Sequence, residues 1–274
     1  MSGCTVIAIA NQKGGVGKTT TTVNLGAALA RQGKRVLLSD LDPQADLTCS
    51  LGWTEPERLR TTLASVLGNV IADEDYSAFD GILTHSEGFD VMPSSIELSA
   101  MEMLLVTAMS REQTLRSWLD LVKHEYDYVL IDCMPSLGMV TINALTAADK
   151  VIIPVQSHYL PAKGMTQLIK TVDRVRRQVN PGLSIAGILV TLVDSRTNIA
   201  RDTIAAIKQG YAGRVPIFKT EIPLAVSAAE TPMLGKSLFE YDPKSKVAGA
   251  YESFAQEVME DGKAKSKAKA AYVR

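Results

Sequence analysis

Short uninterrupted runs of Val, Ile and Leu recur along the chain, separated by longer stretches in which apolar residues return every three or four positions. The runs predict strands at Cys4–Ala10, Arg35–Asp40, Asp90–Pro93, Tyr128–Asp132, Val151–Val155, Ile185–Val193 and Val215–Phe218. Most lack polar alternation, as strands do when both faces of a parallel sheet are covered. Helical spacing predicts Thr19–Gln32, Ile96–His124, Leu137–Ala147, Ala162–Val179, Asn198–Tyr211 and Lys244–Glu260. Gly33 stops the first of these, and Pro181-Gly182 stops another. The alternation predicts an α/β fold: one doubly wound, mostly parallel sheet flanked by helices, with right-handed crossovers. No repeat or long linker divides residues 1–262, which read as one domain.

The tail differs in character. From Lys263 onward, "KAKSKAKAAYVR" carries five positive charges and no negative one, a solvated flexible end or a weak phosphate-binding arm. The whole chain of 274 residues has a net charge of −1, so any affinity for nucleic acid or membrane must come from a local patch. Cys4, Cys49 and Cys133 are odd in number and far apart, which points away from a disulfide framework or zinc site and fits a reducing cytoplasm. The apolar run "CTVIAIA" is too short for a signal segment or a membrane span.

The chemistry starts at Asn11–Thr22, "NQKGGVGKTTTT". A phosphate-binding loop of the common form has glycine where Gln12 stands, but the run reads well as K-G-G-x-G-K-T-T between a strand and a helix. Gly14, Gly15, Val16 and Gly17 can turn backbone amides onto phosphate oxygens, and the helix beginning near Lys18 aims its positive end at them. Lys18 is expected on the β- and γ-phosphates of ATP, Thr19 on Mg²⁺ and Thr20 on the α-phosphate. Two strands end in acids: "VLLSDLDPQADLT" in Asp40 with Asp42 just beyond it, and "YDYVLIDCMPSLG" in Asp132. Asp132 has the form of a carboxylate that holds a Mg²⁺-bound water. Asp40 is expected near the metal, and Asp42, on the loop, is expected to orient the attacking water.

With these motifs, "DSRTN" and "YDPKSK", the chain resembles the ParA/Soj family of DNA-partitioning ATPases, which share with MinD a deviant Walker A loop. The likeness runs from about Thr5 to Val258. It implies a P-loop ATPase fold in agreement with the pattern, and slow hydrolysis of ATP stimulated by a ParB-like centromere-binding partner. Lys13, by family position, would reach across an ATP-sandwich homodimer to the partner's phosphates, tying hydrolysis to dimerisation. Thr191 and Pro223 would lie at the adenine. The resemblance also implies nonspecific DNA binding, no membrane attachment, and a cytoplasmic, nucleoid-associated location.

Two departures stand out. Met134 replaces the first proline of the family's D-C-P-P-S-L-G, and Leu224 and Ser227 stand where relatives carry DNA-binding arginines. Remaining cationic candidates are Arg196, Arg201, Lys208, Arg214, Lys219, Lys236, Lys244, Lys246 and the tail. The first predicted strand begins at about residue 4, so an operator-binding helix-turn-helix ahead of it is not expected. Two other function classes share this fold. A MinD-like membrane-cycling regulator would need bulky apolar residues in the tail, where only Tyr272 and Val273 occur. A metabolic or redox enzyme is the other: as a phosphoryl-transfer ligase it would need a substrate constellation that the motifs do not display, and as an iron–sulfur reductase a cysteine pair that is missing.

Overall fold

The computed structural model describes residues 3–157, 162–211 and 213–272, and side chains as far as Asp261 save those of residues 162 and 163. Its strands are β1 (Thr5–Ile9), β2 (Val36–Leu41), β3 (Leu83–Thr84), β4 (Asp90–Met92), β5 (Tyr128–Cys133), β6 (Lys150–Gln156), β7 (Ser184–Val193) and β8 (Ile217–Pro223). Its helices are α1 (Lys18–Arg31), α2 (Asp46–Ser50), α3 (Leu63–Ala72), α4 (Leu98–Thr107), α5 (Thr114–Val122) and α6 (Met139–Ala147). There follow α7 (Ala162–Gln178), α8 (Asn198–Tyr211), α9 (Ser227–Glu230), α10 (Leu238–Tyr241) and α11 (Lys246–Tyr272).

Among the described residues the strands form one sheet in the order β3-β4-β2-β5-β1-β6-β7-β8, parallel throughout except at the β3–β4 edge. Strand β1 lies at the centre between β5 and β6, and its side chains alternate between two cores. Val6, Ala8 and Ala10 join a cluster with apolar residues of α3 to α7. Ile7 and Ile9 join a second cluster with α1, α2, α10 and α11. The two-sided cover explains why the predicted strands read as unbroken apolar runs.

The predicted helix Ile96–His124 is instead two helices, α4 and α5, parted at residues 108–113. Ala108 turns extended and Ser110 takes a positive φ of 49°, which ends the helical path. The gap is held by Asn143 of α6, whose Nδ2 donates to Arg111 O at 2.7 Å while its Oδ1 accepts from Leu115 N at 3.1 Å. A tertiary hydrogen-bond partner thus overrides local periodicity. The last strand lies at Ile217–Pro223 rather than Val215–Phe218, and α2, α3, α9, α10 and the two-residue β3 were not predicted.

Helix α11 straps the far side of the molecule. Tyr251 Oη pairs with Thr21 Oγ1 of α1 at 3.2 Å, and Glu257 accepts from the backbone amides of Lys219 and Thr220 in β8. Lys150, whose side chain is 8% exposed, pairs with Asp261 Oδ2 at 2.5 Å. The helix continues through Tyr272 into the segment expected as a basic tail, whose side chains lie outside the described residues.

Asn143→Ala should leave the α4–α5 gap without its partners. It should cost about 2 kcal/mol, seen as a fall of about 4–8 °C in Tm. An unchanged Tm would mean that the gap is shaped by its own sequence.

Candidate functional site

The site lies at the C-terminal edge of the central strands, where β1 runs into the loop Ala10–Gly17 and then into α1. Gly15 and Gly17 have φ of 69° and 81°, a region that glycine enters without strain. Gly17 is the residue before α1, and no side chain caps the helix there, so its first amides are available to a ligand. The loop is braced from outside. Thr191 Oγ1 of β7 donates to Val16 O at 2.8 Å, and Gln156 Nε2 of β6 donates to Gly15 O at 2.6 Å. Asn11 Nδ2 donates to Pro154 O at 2.7 Å, and its Oδ1 accepts from Lys13 N at 3.0 Å.

Lys18 and Lys13 differ in exposure. Lys18 is 8% exposed, and its Nζ donates to Lys13 O at 3.3 Å, within its own loop. Lys13 is exposed at the rim, where Gln156 Oε1 accepts from its Nζ at 3.0 Å.

The acids line up on adjacent strands. Asp40 of β2 and Asp132 of β5 are register partners, and both are buried. Asp132 Oδ2 accepts from Thr19 Oγ1 at 2.6 Å, while its Oδ1 has no hydrogen-bond partner. Burial pushes the Asp132 carboxyl up to about 8, with the charge of Asp40 adding to it and Thr19 and Lys18 opposing. A buried carboxylate oxygen without a donor, beside a threonine hydroxyl and a lysine, is the environment a small hard cation would complete. No group of three His, Cys, Asp or Glu that could cage a metal occurs among the described residues. A cation there must therefore take further oxygens from phosphate or water, which is how Mg²⁺ is ordinarily held.

Asp40 is engaged elsewhere. Its Oδ2 accepts from Thr48 N at 2.9 Å and Thr48 Oγ1 at 2.6 Å, and its Oδ1 accepts from Asp42 N at 3.2 Å. Burial raises it to about 7, with the Thr48 hydrogen bonds opposing. The carboxylate expected near the metal thus ties down the loop from Asp42 to Thr48.

Asp42 is half-exposed and lines a cleft of about 330 Å³ with Gly14, Gly15, Gly17, Lys18, Thr19 and Thr20. Asp46, Pro135, Leu192 and Leu224 complete much of its wall. Of the two residues expected at the adenine, Thr191 is buried against the loop as its brace, and Pro223 ends β8 just before Leu224. Asp46, Gln156 and Leu192 were not anticipated. Asp46 falls in a stretch whose pattern singles out Asp40 and Asp42, and Gln156 is the polar residue that closes an apolar run. Leu192 has a positive φ of 53°, a conformation with no sequence signal in a leucine.

The raised carboxyl of Asp132 predicts a pH dependence for the protein without metal and nucleotide. In the unfolded chain the group titrates near its ordinary 3.8, and in the folded protein near 8. Between those values the folded state holds a proton that the unfolded state has released, so stability falls as pH rises from about 4 to about 8. Asp132→Asn should flatten that fall in a series of Tm measurements, leaving the smaller part due to Asp40. An identical slope in the variant would contradict the assignment.

Residues 4–185 match the family model of an AAA domain, AAA_31. Sporulation initiation inhibitor protein Soj of Bacillus subtilis is 45% identical, over 94% of this chain and 99% of that protein. Chromosome partitioning protein ParA of Caulobacter vibrioides is 41% identical, over 93% of each chain. A structure of cobyrinic acid a,c-diamide synthase from Mycobacterium smegmatis, with bound ATP analog and magnesium, is 38% identical with a TM-score of 0.81, covering 93% of this chain and 94% of that one. The braced glycine loop, the neighbouring acids and likenesses that span nearly the whole sequence agree, and the chain belongs to the ParA/Soj family of P-loop ATPases.

Proposed function

We propose that the protein is an ATP-dependent dimerisation switch for DNA partitioning. Two subunits holding ATP close face to face, the dimer binds DNA without sequence preference, and a ParB-like partner triggers hydrolysis and release. The observation that carries this reading is the different setting of two lysines in one loop: Lys18 buried with its Nζ on Lys13 O, Lys13 exposed at the rim with its Nζ on Gln156. One ammonium is enough to cradle a subunit's own phosphates. A second, exposed at the rim, would reach a phosphate presented by another copy of the chain by exchanging its present contacts, Gln156 among them, and stabilises the transferring charge only when the two have closed.

Within a subunit, the amides of Gly14, Gly15, Val16 and Gly17 cradle the phosphates, with Lys18 on the β- and γ-groups and Thr20 on the α-group. Thr19 and Asp132 would hold Mg²⁺, which when bound supplies positive charge to the β- and γ-oxygens. Asp42 orients the attacking water from the cleft wall. Asp40 contributes by anchoring the loop that carries Asp42. Adenine lies toward the ends of β7 and β8, the region of Thr191 and Pro223.

The DNA-binding part rests on charge. Arg196 pairs with Asp194, Arg201 with Asn198, Lys208 with Glu221 and Lys236 with Glu240, so these four already have local partners. Arg214, Lys219, Lys244 and Lys246 are exposed and are the better candidates, together with the basic tail. Leu224 lines the nucleotide cleft at 54% exposure, and Ser227 begins α9, so neither family arginine position supplies a cation. A cytoplasmic, nucleoid-associated location follows from DNA binding. No helix among the described residues is long and apolar enough to cross a membrane.

The likeness to cobyrinic acid a,c-diamide synthase of Mycobacterium smegmatis supports a second reading, a metabolic phosphoryl-transfer enzyme. The two readings separate on one measurement, since a switch releases phosphate from ATP with no acceptor present.

Lys18→Ala should abolish nucleotide binding, measured calorimetrically with Mg²⁺, because the loop then keeps no buried ammonium to offset the β/γ charge. Asp42→Ala should still bind ATP and dimerise, yet hydrolyse about 100-fold more slowly. Wild-type turnover in that variant would remove Asp42 from its role. Binding of the ATP-bound form to duplex DNA should fall steeply with salt, by about tenfold or more between 50 and 200 mM, with little sequence preference. A salt-independent affinity would exclude a phosphate-reading surface.

A further inference from the structure

Helix α6 starts where the loop leaving Asp132 ends, and its first amides are capped in an unusual way. The residue before it, Gly138, has no side chain to offer, and the cap comes from another helix. Glu102 of α4 accepts from Met139 N with Oε2 at 2.9 Å and from Val140 N with Oε1 at 3.2 Å. A Cβ on residue 138 would collide with that carboxylate, so the glycine is what lets Glu102 in. A carboxylate on two amides of a helix N-terminus is well placed electrostatically.

From that cap a chain of contacts leads to the cleft. Ser136 Oγ accepts from Gly138 N at 3.3 Å, and Ser136 O accepts from Thr141 Oγ1 at 3.0 Å. Pro135, next to it, lines the nucleotide cleft. Met134 N donates to Leu41 O at 3.3 Å, one residue before Asp42. The loop of residues 134–138 is therefore held at one end by the strand that precedes Asp42 and at the other by α6 and Glu102.

We propose that Glu102 is a positioning residue for ATP hydrolysis, setting the loop of residues 134–138 against the reacting phosphate and making α4 the element whose position that loop follows. The proposal rests on the ATPase reading of the cleft. Its physical basis is the separateness of the cap. A serine or aspartate at position 138 would cap α6 from within and hold the loop whatever α4 did. A carboxylate delivered from α4 ties the two together, and a small shift of α4 breaks both hydrogen bonds without unfolding α6. Misplacing a group near the reacting centre by a fraction of an ångström lowers the rate while leaving ground-state binding almost intact.

The test compares Glu102→Ala and Glu102→Gln with Glu257→Ala. Glu257 makes the same kind of two-amide clamp on β8, at Lys219 and Thr220, and serves as the control for loss of stability alone. Glu102→Ala should lower kcat about tenfold while the affinity for ATP stays within about twofold, and Glu102→Gln, which keeps one acceptor oxygen, should fall between it and wild type. Glu257→Ala should keep its kcat. A second measurement does not need turnover. Hydrogen exchange in wild type should slow both at residues 134–140 and in α4 when a non-hydrolysable ATP analogue binds. In Glu102→Ala the response of α4 should vanish while that of the loop persists. If Glu102→Ala keeps its kcat, or if Glu257→Ala loses as much, the proposal is overturned. If wild type does not hydrolyse ATP, the ATPase reading falls, and the exchange arm still decides whether Glu102 joins α4 to the loop. Should Glu102→Ala fail to fold, Glu102→Gln decides by the same two readouts.

Discussion

A loop that turns its amides inward to a phosphate must turn carbonyls outward, and those carbonyls need donors. Here the donors are Thr191 on Val16 O and Gln156 on Gly15 O, reaching in from β7 and β6. This requirement organises the site. It places the ends of β6 and β7 at the same edge of the sheet as the loop, because only a strand end there can brace it. It also explains why Thr191 is buried, and why Gln156 can serve two masters, bracing Gly15 with its amide nitrogen and receiving Lys13 with its oxygen. The outward lysine and the loop are thus held by one side chain, so a change in the position of Lys13 is felt at the glycines.

The acids on the other side follow a related logic. Asp40 and Asp132 are forced together by the register of β2 and β5, in a core that disfavours charge. The protein resolves this by giving them different work. Asp40 is satisfied within the protein by Thr48 and the Asp42 amide. Asp132 keeps one oxygen unsatisfied next to Thr19, a cost in stability that a bound cation would relieve. Sites that hold such tension are commonly those where chemistry is done.

How much of this could be read from the sequence depends on the distance over which each feature is determined. The central strands and α1 were legible because burial on both faces leaves unbroken apolar runs and because Gly17 and Gly33 bracket the helix. The turn of the loop was legible, since the positive φ of Gly15 and Gly17 favours glycine at those places. The break between α4 and α5 was not, because Asn143, which holds it, lies in another element. The braces from Gln156 and Thr191 were hidden for the same reason: each acts across more than 140 positions of chain. Asp40 is expected near the metal because a strand ending in Asp is a common pattern, whereas its hydrogen bonds to Thr48 and the Asp42 amide are visible only in the tertiary structure.

Whether Lys13 acts on a phosphate of another subunit is tested most directly by mixing two variants, Lys13→Ala and Lys18→Ala, each expected to be inactive alone, and measuring ATP hydrolysis as their ratio changes. A Lys13→Ala subunit can hold ATP on its own Lys18 and receive an intact Lys13 from a Lys18→Ala partner. Activity should therefore return in the mixture and peak at intermediate ratios. Absence of rescue at every ratio, with mixed dimers demonstrated to form, would contradict the account and return Lys13 to its own subunit's loop.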